Sequence, residues 1–180
     1  MQLLMTISLV LLWVLVIFNL LITFQLIRIV APDIWDQNSP TLKVGQKSPH
    51  FQVESLDGQQ ISLSNPQIKS ILLIFISTSC LTCLERIPEI RALKPFADTL
   101  GIQITIICDS NCEKSQSLVK EFDIDLPVVI APRGSSLWRD FKVIGTPFYC
   151  FVNEESKVQA AGLFNNGWDA LTKLWKVNAL

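Results

Sequence analysis

An uninterrupted apolar run, Ile71–Ile76, ends four residues before the first of two closely spaced cysteines. A strand whose side chains are apolar on both faces is typical of the buried centre of a parallel sheet. A second buried strand is predicted at Ile102–Ile107, after a segment with helical spacing that begins near Cys80 and contains Pro88. Strand, helix and strand in this order predict an α/β domain with parallel central strands.

The remaining elements fit the same fold class. Alternating apolar residues around Asp57-Gly58 predict a hairpin before the central strands, because Asp-Gly is a strong turn signal. Further strands are predicted at Val128–Ile130, Phe148–Val152 and Val158–Ala160, and the last helix is marked by apolar residues up to Trp175. The sequence thus predicts a central mixed sheet with flanking helices and an N-terminal hairpin extension.

Cys80 and Cys83 form a C-x-x-C pair where that first helix is predicted to begin. Two sulfurs at this spacing can reach disulfide distance, and the positive end of a helix stabilises a thiolate. We therefore predict a redox-active dithiol, with Cys80 as the more exposed attacking nucleophile and Cys83 as the resolving thiol. The pair follows the C-terminal end of a parallel strand, the edge where open α/β sheets usually carry their sites.

Two other interpretations of this pair remain open. A zinc site needs four ligands, but the chain has one histidine, His50, and no second C-x-x-C sequence. We therefore predict no metal ligands and no cofactor, and we expect His50 at the surface or at a sheet edge. A purely structural disulfide between the two cysteines is the other alternative.

The N-terminal segment from Met1 to Ile27 contains no charged residue. Because about 20 predominantly apolar residues cross a bilayer core as a helix, we predict a single-pass anchor in the lipid bilayer at residues 3–27. A cleaved signal peptide would have a basic start and a small-residue cleavage site, and neither is present. We divide the chain into an anchor helix at 1–30, a linker at 31–47 and a redox domain at 48–180.

Charge gives two further indications. The 15 Lys and Arg and 16 Asp and Glu residues leave a net charge of −1, which argues against a nucleic-acid partner. The nearest charge after the anchor is Arg28, which taken alone would keep the domain in the cytoplasm. The charge bias therefore conflicts with the extracytoplasmic location that a disulfide chemistry favours.

Three cysteines lie outside the C-x-x-C pair. Cys108 ends the second central strand and Cys112 follows closely, so we consider a second disulfide or a redox relay between them. Two unrelated thiols are the alternative, since free cysteine packs well in cores. We expect Cys150, which alternates with Phe148 and Val152 on one strand, to be buried and inert.

Two motifs resemble the thioredoxin-like superfamily. The segment 44–51 (VGQKSPHF) followed by Leu56-Asp57-Gly58 is similar to the N-terminal hairpin of its TlpA/ResA branch, and Gly145-Thr146-Pro147 is similar to its cis-proline loop. The resemblance extends from about residue 43 to residue 175. It implies a thioredoxin-like fold, a cis Thr146–Pro147 bond facing the dithiol, and a role for Thr146 and Pro147 in binding substrate backbone.

Within this branch the chain resembles the MauD-like proteins. The shared features are the uncharged leader followed by Arg28, the approach FISTSC that ends at Cys80, and the segment 161–165 (AGLFN). The resemblance implies an anchored protein with its redox domain outside the cytoplasm. It also implies two partners: a cysteine-containing client that is matured there by disulfide formation or correction, and a membrane or thioredoxin-type redox protein.

The chain departs from these families at three positions. Ser79 replaces the tryptophan that precedes the first cysteine of thioredoxin, and Ile74 stands near the position of its buried aspartate. Arg86 occupies the place of the glutamate of ResA-like reductases, with Glu85 one position away. The group that transfers the proton is therefore unassigned, and Arg86 is either a thiolate-stabilising cation or part of a solvated helix face.

The predicted function is thiol–disulfide exchange, by reduction, isomerisation or formation of client disulfides. One alternative is a membrane-tethered metallochaperone or assembly factor, because Cys108 and Cys112 have the C-x-x-x-C spacing of copper chaperones, although no histidine follows them. A peroxiredoxin-like peroxidase is the lesser alternative. Its motif fits at Ser77, but Leu73 replaces the expected proline.

Overall fold

The structure, a computed structural model, describes residues 6–7, 11–23, 41–63, 65, 68–165 and 167–178. The chain divides into two compact units, Met1–Ser39 and Pro40–Leu180.

In the first unit, residues 6–7 and 11–23 are helical and their side chains are exposed. Across the part of the chain that the structure describes, no helix has both the length and the apolar character required to cross a bilayer. The other residues of the predicted anchor at 3–27 lie outside the described residues, as do residues 31–40 of the predicted linker.

The second unit contains a two-stranded hairpin, a five-stranded sheet and five helices among its described residues. The strands, in chain order, are β1 Gln52–Glu54, β2 Gln60–Ser62, β3 Ser70–Ile76, β4 Ile102–Cys108, β5 Val128–Ile130, β6 Phe148–Val152 and β7 Val158–Leu163. The helices are α1 Leu81–Ala92, α2 Lys94–Thr99, α3 Cys112–Glu121, α4 Ser136–Asp140 and α5 Trp168–Asn178.

The sheet has the strand order β5-β4-β3-β6-β7. Strands β3, β4 and β5 are parallel, while β6 is antiparallel to both of its neighbours. The predicted mixed sheet with flanking helices and an N-terminal hairpin is therefore confirmed. The register pairs Ile76 with Cys108, so the C-terminal ends of β3 and β4 meet at one edge, directly before Cys80 and Asp109.

Two apolar layers cover the faces of the sheet. Side chains of β3 alternate between them: Leu72, Ile74 and Ile76 pack with residues of α1, α3 and α5, and Ile71, Leu73 and Phe75 pack on the side of α4. On the second side, the ring centroid of Phe75 lies 5.3 Å from that of Trp138. Burial on both faces explains why the sequence of β3 is a continuous apolar run.

The helix predicted after Cys80 is divided in two. Helix α1 continues through Pro88 to Ala92, and the break lies at Leu93. Pro95 follows in the first turn of α2. Because proline has no amide hydrogen and its ring clashes with the carbonyl of the preceding turn, Pro95 suits the first turn of a new helix and disfavours a continuation of α1 past Leu93.

Residues at the end of the predicted linker bond to the sheet. The Gly45 amide donates to the Val158 carbonyl oxygen at 2.8 Å, and the Ser48 amide donates to the Ser156 oxygen at 2.7 Å. On the opposite side of the sheet, the hairpin is attached to β5, since the Leu56 amide donates to the Val128 oxygen at 2.7 Å. These bonds use backbone groups that the edge strands would otherwise expose.

Candidate redox site

Cys80 lies between the end of β3 and the start of α1. It is the N-cap residue of α1, with extended backbone angles, and its Sγ accepts a hydrogen bond from the Cys83 amide at 3.2 Å. The first turn of α1 contains no acidic residue. The positive end of the helix is therefore directed at the Cys80 sulfur without a competing negative charge from that turn.

Cys83, one turn further along α1, is fully buried whereas Cys80 is half-buried. Burial, assisted by a hydrogen bond with Cys80, raises the pKa of the Cys83 thiol to about 12. Hydrogen bonds from the Ser77 backbone and the Thr146 side chain act in the opposite direction on this pKa. Both cysteines are free thiols in the structure, and their unequal exposure agrees with the predicted division between attacking and resolving sulfur.

The loop before β6 lies against this pair. The Thr146–Pro147 peptide bond is cis, as predicted. The Thr146 carbonyl oxygen lies 3.6 Å from Cys80 Sγ. The structure thus brings together residues separated by more than sixty positions, while the role of Thr146 and Pro147 in binding a substrate stays a prediction.

Two charged residues that we did not predict extend this site. Arg133 donates from Nη2 to Thr146 Oγ1 at 3.4 Å and from Nε to the carboxylate of Asp109. Asp109 directly follows β4, and Arg133 follows β5 by three residues. Both therefore lie beyond C-terminal ends of parallel strands, and this position was the signal in the sequence that could have identified them.

Two exposed apolar side chains lie close in sequence to residues of this site. Leu81, which directly follows Cys80, is 71% exposed, and Ile144, two residues before Thr146, is 51% exposed. Large apolar side chains at this exposure cost solvation free energy unless a partner covers them.

The two cysteines of the second predicted pair differ in their burial. Cys108 is buried and its Sγ lies 3.2 Å from Ser110 Oγ, whereas Cys112 is exposed at the start of α3. Both are free thiols, so their pairing stays a prediction. Cys150 is fully buried, as expected, and burial raises its pKa to about 12.

Arg86 forms an ion pair with a residue of its own helix. Its Nη1 lies 2.6 Å from Glu89 Oε2, and this ion pair raises the pKa of the guanidinium. The other oxygen of Glu89 accepts a hydrogen bond from the Trp168 indole at 2.8 Å. Arg86 therefore belongs to a contact between α1 and α5 in this structure. Glu85 and His50 are both exposed, and no cluster of three or more potential metal ligands occurs among the described residues.

Comparisons with known proteins agree with this architecture. A family model described as Redoxin matches residues 43–173. The chain is 28% identical to the thioredoxin-like protein YneN of Bacillus subtilis over 123 residues, covering 66% of this chain and 70% of YneN. It is 27% identical to the methylamine utilization protein MauD of Methylophilus methylotrophus, covering 68% of this chain and 56% of MauD.

Among solved structures, the fold is similar to a protein from Chlorobium tepidum described as a thiol:disulfide interchange protein DsbE. The TM-score is 0.66 at 18% identity, and the match covers 77% of this chain and 99% of that structure. At this identity the likeness supports the fold, and the chemistry depends on the residues described above.

Proposed function

The chain belongs to the Redoxin family and is a thiol–disulfide oxidoreductase; from that premise we propose that Cys80 and Cys83 are its working pair, acting on cysteines of an extracytoplasmic client protein. One observation carries the proposal. A half-buried sulfur at a helix N-terminus lies against a cis-proline loop, and a fully buried second thiol follows one turn later. The first sulfur is suited to attack and the second to resolution.

In the reducing direction, the Cys80 thiolate attacks one sulfur of a client disulfide. The client S–S bond breaks, a mixed disulfide with Cys80 forms, and the other client sulfur leaves as a thiolate that takes up a proton. Cys83, as a thiolate, then attacks Cys80 Sγ and expels the second client sulfur. Two electrons and two protons have then moved from the dithiol to the client, and disulfide formation is the same sequence reversed.

We propose that Thr146 and Pro147 hold the backbone of the client beside Cys80. The closeness of the Thr146 carbonyl to Cys80 Sγ, 3.6 Å, supports this role. The exposed side chains of Leu81 and Ile144 would add apolar contacts to the client. Such contacts favour a segment that is extended and incompletely folded, which suits a protein acting during client maturation.

We further propose that residues 3–27 anchor the protein in a membrane, with the redox domain on the extracytoplasmic side. The uncharged leader supports the anchor. The exposed thiol of Cys112 can report on which side of the membrane the redox domain lies. In intact cells expressing the full chain with Cys80→Ser and Cys83→Ser, a membrane-impermeant maleimide should label this thiol. Labelling that requires cell lysis would contradict the extracytoplasmic location.

Trapping experiments test the working pair. Cys83→Ser should accumulate a mixed disulfide with a client or with insulin, because the resolving thiol is missing, and Cys80→Ser should form none and should lose insulin reduction. Cys150→Ala is the matched control, since it also removes a buried thiol but from β6. Retained activity in Cys80→Ser would refute the assignment of the nucleophile. The reduction potential of the pair then determines the direction of exchange.

A further inference from the structure

We propose that a cleft beside the cis-proline loop binds an acidic side chain of the client, a few residues from the client cysteine, through Arg133 and Arg139. This inference rests on the proposed function, because it concerns the segment that presents its cysteine to Cys80. It adds to that function a preference for the charge of the client next to the reacting disulfide.

The cleft has the size of one side chain. Its volume is about 230 Å³, whereas pockets for drug-sized ligands measure about 300–1,000 Å³. Two guanidinium side chains line it, and none of the described residues in its walls is an aspartate or a glutamate. Its apolar walls include Trp138 and Ile144, which suit the methylene groups of an acidic side chain.

The cleft lies next to the reacting sulfur. Ile144 and Gly145, which line it, directly precede Thr146, whose carbonyl oxygen is 3.6 Å from Cys80 Sγ. Arg133 Nη2 lies 3.4 Å from Thr146 Oγ1. Because an extended chain spans about 3.3–3.6 Å per residue, a client residue within about four positions of the reacting cysteine can reach this guanidinium.

Arg133 is restrained by two neighbours although its side chain is 59% exposed. Its Nε donates to the carboxylate of Asp109, whose side chain is only 10% exposed. Its guanidinium carbon lies 5.7 Å from the centre of the Trp138 ring, and the indole of Trp138 donates to the Ala131 oxygen at 2.6 Å. A guanidinium that is already fixed loses less conformational entropy when it binds a carboxylate.

Both arginines keep donors for a ligand. A guanidinium has five N–H groups, and Arg133 Nη1 has no hydrogen-bond partner among the residues that the structure describes. Arg139 is 72% exposed and lies 3.5 Å from Asp140, an exposed pair of a kind that contributes little. Asp140 lines a different cleft, with His50 and Phe51. A carboxylate in the cleft therefore meets N–H donors from two side chains.

A second cleft near the dithiol has a different charge. It includes Ser79, which directly precedes Cys80, and three charged residues of α3, which are Glu113, Lys114 and Glu121. Two carboxylates and one ammonium leave it negative, so it does not attract an acidic client residue. Charge complementarity therefore favours the arginine-lined cleft for that residue.

Trapping kinetics with charged peptides test this preference. The full chain carrying Cys83→Ser is mixed with disulfide-linked homodimers of a short peptide with one central cysteine, and mass spectrometry quantifies the mixed disulfide with Cys80. Three peptides differ only at the second and third residues on either side of the cysteine, which are Glu, Gln or Lys. Each rate constant is divided by that of the same peptide with mercaptoethanol, which corrects for the reactivity of the disulfide itself.

The Glu peptide should react about three- to tenfold faster than the Gln peptide, and the Lys peptide should react more slowly than both. The difference is moderate because Asp109 already neutralises part of the Arg133 charge. It should shrink in about 1 M salt, where the screening length falls to about 3 Å.

Variants in the same Cys83→Ser chain identify the residues responsible. Arg133→Gln and Arg139→Gln should each reduce the ratio of the Glu to the Gln rate, and both together should abolish the preference. A change in the reactivity of Cys80 affects all peptides equally and cancels in this ratio, and continued reaction with the Gln peptide shows that a variant is folded. Lys142→Gln is the matched control, since it removes an exposed cation that does not line the cleft, and it should keep the full preference.

Equal corrected rates for the Glu and Gln peptides would overturn this inference while leaving the working pair intact. A preference that survives the loss of both arginines would overturn it as well. Failure of the proposed function has a different signature, because Cys83→Ser would then form no mixed disulfide with any of the three peptides.

Discussion

The resolving step should accelerate with pH over the whole neutral to mildly alkaline range. Only the thiolate of Cys83 attacks the mixed disulfide, and its pKa is raised to about 12 in the dithiol. Desolvation by burial is the largest cause of that rise. Formation of the mixed disulfide removes the hydrogen bond with the Cys80 thiol but leaves Cys83 buried, so most of the elevation persists.

The expected magnitude follows from this raised pKa. A thiol far below its pKa gains about tenfold in thiolate for each pH unit, whereas an ordinary cysteine is half ionised near about pH 8.5 and then levels off. In a stopped-flow reaction of the reduced full chain with the neutral disulfide dithiodipyridine, Cys80 releases the first thiopyridone in a phase whose rate depends on reagent concentration. Cys83 releases the second in a phase whose rate does not. The rate of this second phase should therefore rise about tenfold per unit from pH 6 to 9 without a plateau.

The assay separates this effect from that of Cys80 because the two phases are observed independently. Cys83→Ser must lack the second phase at every pH, which verifies its assignment. A plateau of the second phase between about pH 7 and 9 would refute the reasoning. It would mean that the sulfur is more solvated in the mixed disulfide than its complete burial in the dithiol indicates.

Three further predictions concern stability and the other cysteines. Glu89→Ala should lower the free energy of unfolding in urea by about 1–3 kcal/mol, because the indole N–H of the fully buried Trp168 loses its acceptor; Glu89→Gln should lose less. Because burial raises the pKa of Cys150 in the folded state, the unfolded state releases this thiol proton at lower pH. The free energy of unfolding should therefore fall between about pH 9 and 12. Cys150→Ala should reduce that fall by about 1.4 kcal/mol per pH unit. Peptide mapping after mild oxidation should yield a linked Cys108–Cys112 peptide if they form a second pair, and two free thiols would exclude it.

Local patterns predicted much of the fold. The apolar run of β3 and the Asp57-Gly58 turn each follow from a few neighbouring residues. Gly58 has φ of +83°, which favours glycine. The unequal burial of the two sulfurs was predicted for the same reason, since position along a helix start determines exposure.

Several features that depend on distant residues were not predicted. Strand β7 extends to Leu163, beyond the predicted end at Ala160, because residues 161–163 pair with β6. The contact of Glu89 with Trp168 joins residues 79 positions apart. Arg133 reaches Thr146 across a helix and a loop. No spacing within the sequence encodes such contacts, which arise only when packing brings the elements together.

Burial is the main cause of the protonated state of the resolving sulfur. Cys83 and the strand residue Ile74 are both fully buried, and desolvation is the largest cause of the raised pKa of the Cys83 thiol. Arg86 does not compensate, since it pairs with Glu89. The hydrogen bond from the Ser77 backbone acts in the opposite direction on this pKa but does not offset burial. The rate of resolution should therefore follow the ionisation of Cys83 itself.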